Sequence, residues 1–472
     1  MYPFDRAAIA AILLLLVLLS ALAGMGRTVA PRSAIFSWRD RQISARDRFF
    51  TLAFAQPMVT SSVEANLEIS PDLPGKISWR DRSKLYYTLL QPPQYGTSYQ
   101  LRLQDARWVF GEGGQPGGRI PRFQAQFRAR DRVFAYLGVS GDERDRIVLY
   151  NLTRDRKTVL TPPDLLAVDF EPYPDGRRIL FSAVARDALQ RDPRPVQLYT
   201  VTTGLNSPPS APRATPGRIA QVLEADSYLN RQFDLSPDGK RILVERSNRL
   251  DAQDTVLWLL SDGSKARSLG IPGVAFAIAP DSQSVAVVQE TGISLIPLTP
   301  QARTLTFLPD YSAIVGSDRD TGTQLFLQTH SDGTRSLVAL NAEGSSRELL
   351  RTQGLIGNCQ FSPQQQNTLY CLRIGGEQQL QEQPVLSMVD VQRQQETPFL
   401  ALANDREVVL SMAPDGSGLL FDQVTRTSPA PRNDEVKANI WYLPLPEFRL
   451  NQEPLVRPPE KLTSGFNPSW IP

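Results

Sequence analysis

The feature that most constrains this chain is a short unit that keeps returning: an apolar strand, a Pro-Asp-Gly-type turn and a second apolar strand. It stands as Phe170-Glu171-Pro172-Tyr173-Pro174-Asp175-Gly176 before Arg178-Ile179-Leu180-Phe181. It returns as Leu235-Ser236-Pro237-Asp238-Gly239 before Arg241-Ile242-Leu243-Val244, and as Ile278-Ala279-Pro280-Asp281-Ser282 before Val285-Ala286-Val287-Val288. Weaker copies are Phe361-Ser362-Pro363 before Thr368-Leu369-Tyr370, and Met412-Ala413-Pro414-Asp415-Gly416 before Leu419-Leu420-Phe421. Proline presets φ for a turn, aspartate bonds its own backbone, and glycine accepts the left-handed corner that other residues resist. Each copy therefore reads as a tight hairpin.

Further strands follow each hairpin, such as Val256-Leu257-Trp258-Leu259-Leu260 and Arg303-Thr304-Leu305-Thr306-Phe307. Four strands per repeat is the content of a β-propeller blade. The interval from Pro280 to Pro363 is about twice a single period, so a further unit is expected at Ser317-Asp318-Arg319-Asp320 before Gln324-Leu325-Phe326-Leu327. The chain ends split one more unit. Leu462-Thr463 and Asn467-Pro468-Ser469-Trp470-Ile471-Pro472 match the strand before a turn, and Arg132-Val133-Phe134-Ala135-Tyr136 matches the strand after one. The expected fold is all-β, with residues 129–472 a propeller of seven blades closed by the C-terminal strand, or six if the ends do not pair. Closure of this kind leaves the ring no open edge.

Residues 33–128 carry short alternating runs, Phe49–Ala55, Ile77–Trp79, Leu85–Leu90, Tyr99–Leu103 and Phe123–Phe127, punctuated by Pro57, Pro71, Pro74-Gly75, Pro92-Pro93 and Gly96. Such spacing predicts an antiparallel β-sandwich. The stretch resembles the bacterial Ig-like domains of S-layer and other cell-surface proteins. Phe54-Ala55-Gln56-Pro57-Met58, Ser62-Val63, Ile69-Ser70-Pro71, Trp79 and Gly96-Thr97-Ser98-Tyr99-Gln100-Leu101-Arg102-Leu103 carry that resemblance in order. It implies a spacer or adhesive module and no chemistry; Trp38 and Trp79 read separately as core-packing aromatics.

Residues 1–32 read as a membrane anchor or signal segment. Ala7 to Gly26 are uncharged around Leu13-Leu14-Leu15-Leu16-Val17-Leu18-Leu19, a length that as a helix spans a hydrocarbon core of about 30 Å. The expectation is a single pass through the inner membrane by residues 7–26, with the remainder on the periplasmic side. The alternative is a soluble periplasmic protein after cleavage near Ala21-Leu22-Ala23.

Chemistry is narrowed by what is scarce. One histidine, His330, and two cysteines do not assemble a Cys/His metal cluster, and no G-x-S-x-G elbow occurs. With a formal net charge of +2 and basic residues alternating with acids, as in Arg130-Asp131-Arg132, nucleic acid is not an expected partner. The repeat resembles that of the TolB-type propellers, periplasmic proteins that act through binding partners; the same repeat type caps prolyl-oligopeptidase-like hydrolases. The resemblance implies a non-catalytic scaffold binding protein or envelope components, with no cofactor, metal or catalytic residue assigned. The alternative is a carboxylate- or Ca-dependent hydrolase or lactonase, in which Asp318 and Asp320 would be cation ligands. Two Pro-rich stretches, 206–217 and 427–434, are expected to be extended loops. The last expectation concerns Cys359 and Cys371. Transferring the register Phe233 opposite Val244 to the later repeat, with one extra turn residue among Gln364-Gln365-Gln366, sets the two cysteines face to face, either joined as a disulfide or packed together as two buried apolar thiols.

Overall fold

The structure is a computed structural model. It describes residues 12–20, 34–110, 115–191, 193–205, 214–261, 264–273, 275–299, 306–319, 321–365, 367–374, 383–403, 408–426, 436–445 and 457–472. Asp320, 206–213, 427–435 and most of 1–33 lie outside the described residues. The chain divides into two compact units, Met1–Arg130 and Asp131–Pro472. Within the first, residues 12–20 are helical, and every side chain from Ile12 to Leu19 is at least half exposed. Among the described residues no helix is long and apolar enough to cross a membrane.

The rest of the first unit holds two four-stranded sheets. One runs in the order Ile35–Phe36, Phe49–Ala53, Lys84–Leu89, Gly75–Arg80, and the other Gln42–Ile43, Phe123–Ala129, Ser98–Leu103, Leu67–Ser70. Alternation directs Phe36, Phe50 and Leu52 of one sheet and Tyr99, Leu101 and Phe127 of the other into a single core. Trp38 is buried there, 5.2 Å from the Phe50 ring and 5.3 Å from the Phe127 ring. Trp79 is only partly buried, and its indole N–H donates to Glu64 Oε1 at 2.8 Å.

The second unit has β-propeller architecture: seven four-stranded sheets among the described residues, six of them built from strands consecutive in the chain. Sheet 1 is the exception, with order Arg156–Val159, Ile147–Asn151, Val133–Leu137, Phe466–Trp470. Its innermost strand comes from the C-terminal end of the chain. The innermost strands of sheets 2 to 7 are Leu165–Pro172, Tyr228–Leu235, Phe276–Ile278, Tyr311–Asp318, Leu355–Phe361 and Leu410–Met412.

Side-chain alternation along the second strands explains why the sheets form a ring. Ile179 and Phe181 pack toward sheet 1, while Leu180 between them packs toward sheet 3. Likewise Ile242 and Val244 face sheet 2, and Leu243 faces sheet 4. A sheet apolar on both faces needs two neighbours, and seven cores satisfy the requirement in turn. The last of them joins Leu420 and Ile440 of sheet 7 to Phe134, Tyr136 and Trp470 of sheet 1.

The hairpin turns also nest against one another. Gly239, at φ +70°, lies where an added Cβ would come within 3.0 Å of Pro174 Cδ in the neighbouring turn. Gly416, at φ +71°, meets Pro363 in the same way, at 3.3 Å. At these two positions glycine is needed twice over, for backbone conformation and for close approach.

Phe233 pairs with Val244, and Cys359 pairs with Cys371. The two sulfurs are joined at 2.03 Å, across adjacent strands in the core between sheets 5 and 6. Closing a loop with a sequence separation of 12 restricts the unfolded chain by about 3 kcal/mol in the loop-entropy account. Alkylation of denatured, unreduced protein should therefore label no thiol, and reduction should expose both. Two labelled thiols per chain before reduction would show that the bond does not form.

Candidate functional site

The innermost strand of each sheet is an edge. Its outward side is laddered to the second strand, while N–H groups on its inward side have no sheet partner. In three places a polar side chain three residues before the turn proline supplies one. Glu171 Oε2 accepts from Leu235 N at 2.9 Å, Asp234 Oδ2 from Ile278 N at 2.5 Å, and Ser411 Oγ from Trp470 N at 3.1 Å. Each bond joins one inner strand to the next around the ring, and each recipient stands two residues before its own turn proline. Between sheets 1 and 2 the corresponding recipient is Pro172, which has no N–H to satisfy. In sheet 4 the donor-accepting position is Ala277, which cannot take part.

The inner strands of sheets 2 and 3 also carry register shifts, between Ala167 and Asp169 and between Asn230 and Phe233. Such bulges re-aim side chains. Asp169 beyond the first of them bonds Phe170 N and Asn467 Nδ2, both at 2.8 Å, and so links sheet 2 to the inner strand of sheet 1. From the other side, the fully buried Asp422 of sheet 7 accepts Asn467 N at 2.9 Å and Val409 N at 2.9 Å.

Among the described residues, one ion pair crosses the ring. Arg319 follows the inner strand of sheet 5, and its Nη2 lies 3.7 Å from Glu171 Oε1 in sheet 2. Sheets 2 and 5 are three steps apart in a ring of seven, so this contact spans the middle. The centre thus holds Asp169, Glu171, Asp234 and Arg319.

Burial raises Glu171 to about 8; the neighbouring Asp234 charge adds to the rise, while Arg319 and the Leu235 N–H oppose it. Burial likewise raises Asp234 to about 6 against the Ile278 N–H and Arg319. Asp169 is raised by burial, against its bonds from Phe170 and Asn467. Burial thus holds the Glu171–Asp234 pair above the ordinary carboxylate range, against the pull of Arg319.

The sequence candidates fare differently. Asp318 accepts the Thr321 hydroxyl at 2.7 Å within its turn, and Asp320 lies outside the described residues. No group of three or more His, Cys, Asp or Glu among the described residues is arranged to hold a metal ion. His330 Nε2 is 2.7 Å from Ser336 Oγ, whose proton goes to Glu348 Oε2 at 2.7 Å. A hydrolytic triad needs the histidine in the middle, with the serine hydroxyl donating to it. Here the hydroxyl is in the middle and Ser336 is fully buried, so the trio serves packing. An open depression of about 430 Å³ is lined by Thr334, Arg351, Thr352, Gln353 and Arg373. Both of its guanidiniums are neutralised, Arg351 by Asp332 at 2.7 Å and Arg373 by Glu396 at 3.1 Å.

No protein-family model and no curated protein matches this sequence. Similar solved structures include TolB from Acinetobacter baumannii, at 11% identity over 86% of this chain and 83% of that one, with a TM-score of 0.41. A putative 6-phosphogluconolactonase from Bacteroides fragilis is 12% identical over 72% of this chain and 98% of that one, with a TM-score of 0.43. The β-propeller domain of the Trilobed protease from Pyrococcus furiosus is 11% identical over 74% and 91%, with a TM-score of 0.39. These neighbours mix TolB with propeller hydrolases, and at such identity they assign no activity.

Proposed function

We propose that this chain is a non-catalytic scaffold of the cell envelope, anchored in the inner membrane by residues 7–26. In this reading residues 33–128 are an Ig-like spacer, and residues 129–472 a seven-bladed TolB-like propeller that binds a protein or envelope component on the periplasmic side. The observation that carries the reading is the use made of the central carboxylates. Glu171, Asp234 and Asp169 each accept an N–H from the backbone or amide of a neighbouring blade's inner strand. Acids engaged in joining blades hold a ring rigid, and a rigid ring with loops at its rims suits recognition.

One observation favours a second reading, a propeller hydrolase using carboxylates. Glu171 and Asp234 are neighbouring buried carboxyls whose proton affinities are both raised, an environment that acid–base pairs exploit. Crosslinking of the full chain in its native membrane, followed by purification in detergent, separates the two. The scaffold reading expects one discrete crosslinked envelope partner, retained by Glu171→Gln. Lactone or ester hydrolysis by the wild type that disappears in Glu171→Gln would overturn it. In the same preparation, protease added outside spheroplasts should digest residues 33–472; complete protection would reject the topology.

A further inference from the structure

The two sheets of the N-terminal unit present different outer surfaces. On one, Glu68, Arg102 and Gln124 share a cross-strand row, the mixed polar surface expected against water. On the other, Phe49 shares a row with Thr88 and Lys76, and Ile35 a row with Ala53, Lys84 and Arg80. Ile35 is 73% exposed and Phe49 55%. The Tyr86 ring lies 6.3 Å from that of Phe49, with Lys84 Nζ 5.3 Å above it. None of the four strands of this sheet contains Asp or Glu; Asp81 lies in a turn 3.5 Å from Arg80, and Glu64 meets the sheet through Trp79, in the row that faces the core. This face therefore combines exposed aromatic and aliphatic side chains with lysines and no acid in its strands. These groups are suited to the headgroup layer of an anionic bilayer, where rings sit at the interface and cations meet lipid phosphates.

We propose that this face of the sheet lies against an anionic membrane surface. The proposal rests on the anchoring of residues 7–26. Ile35 follows Gly26 by nine residues, a tether of about 30 Å at full extension. The first strand of this sheet is thereby held near the headgroups, at a high effective concentration of lipid. Lysine attraction to anionic lipid, though weak per residue, then orients the domain with this face down.

The test uses the full chain in nanodiscs of phosphatidylcholine, with or without phosphatidylglycerol. A spin label is placed at Thr88→Cys on this face or at Gln124→Cys on the opposite one, with Cys359 and Cys371 left bridged. With phosphatidylglycerol present, a lipid-borne nickel chelate should relax the label at 88 severalfold faster than the label at 124. The difference should shrink in phosphatidylcholine alone and in the exposed-site variant Lys76→Glu/Lys84→Glu. Equal relaxation at the two positions, in a chain that still floats with carbonate-washed vesicles, overturns the face proposal and leaves the anchor standing. A chain that does not float lacks the tether, and both readings fall. Shielding of position 88 from an aqueous relaxant, with no gain from the lipid-borne one, indicates a protein partner or second copy there and also overturns the proposal.

Discussion

Deleting Phe466–Pro472 is expected to abolish cooperative folding of residues 131–472. Trp470 is 5% exposed, and its indole sits 5.8 Å from the Phe134 ring and 6.3 Å from the Tyr442 ring. Truncating a buried aromatic alone costs about 3–5 kcal/mol. The deletion does more. It removes the inner strand of sheet 1, leaves Asp422 without the Asn467 N–H, and opens the core shared by sheets 7 and 1 to water. Arg132, whose guanidinium lies 4.7 Å from the Tyr442 ring and 5.0 Å from the Trp470 ring, loses one face of that sandwich. Against a typical total of about 5–15 kcal/mol, these losses leave little. Residues 208–214 of the Pro-rich insert provide a control of equal length, and their removal should move the melting temperature by only a few degrees. Circular dichroism during heating checks both. Equal effects would mean that the C-terminal strand does not hold the ring closed.

Stability is expected to fall as pH rises from about 5 to 8, and the slope should trace largely to Glu171. In the folded protein this carboxyl holds its proton up to about 8, whereas the unfolded chain releases it near 4.5. Between those values the native state binds more protons than the unfolded state, so raising the pH favours unfolding. Asp234 acts in the same direction over a lower window, from 3.8 to about 6. Each proton contributes up to about 1.4 kcal/mol per pH unit. A Glu171 side chain that retains some solvent access, with Arg319 opposing the shift, makes about 2–4 kcal/mol a reasonable span. Glu171→Gln keeps an oxygen that can accept the Leu235 N–H and removes the titration. Urea unfolding at 25 °C across this range should show a markedly flatter profile for the variant. An unchanged slope would place the titrating group elsewhere. The Glu171–Leu235 bond should persist in the variant, so its stability at pH 5 should lie close to that of the parent.

Much of this architecture is visible in residues close together along the chain. The Pro-Asp-Gly turns, the apolar alternation beside them and the return of the unit at roughly regular intervals are local, and the hairpins they predict are present. The degenerate unit also appears, as strands Tyr311–Asp318 and Thr323–Thr329. The register of Cys359 and Cys371 belongs to the same class, because facing residues in a hairpin follow from where its turn sits. The charged centre left a fainter trace. Glu171 and Asp234 stand inside apolar strands, three residues before the turn proline, a place where an acid needs a partner. That offset was legible, but the partner was not, since Leu235 and Ile278 belong to the following sheets.

What the amino-acid sequence determined by itself is the all-β character, the hairpin and its period, because turn chemistry and strand alternation act between near neighbours. Tertiary structure alone decided that Arg319 meets Glu171. Their separation in the chain says nothing of distance until seven sheets, each apolar on both faces, close on one another and bring the second opposite the fifth.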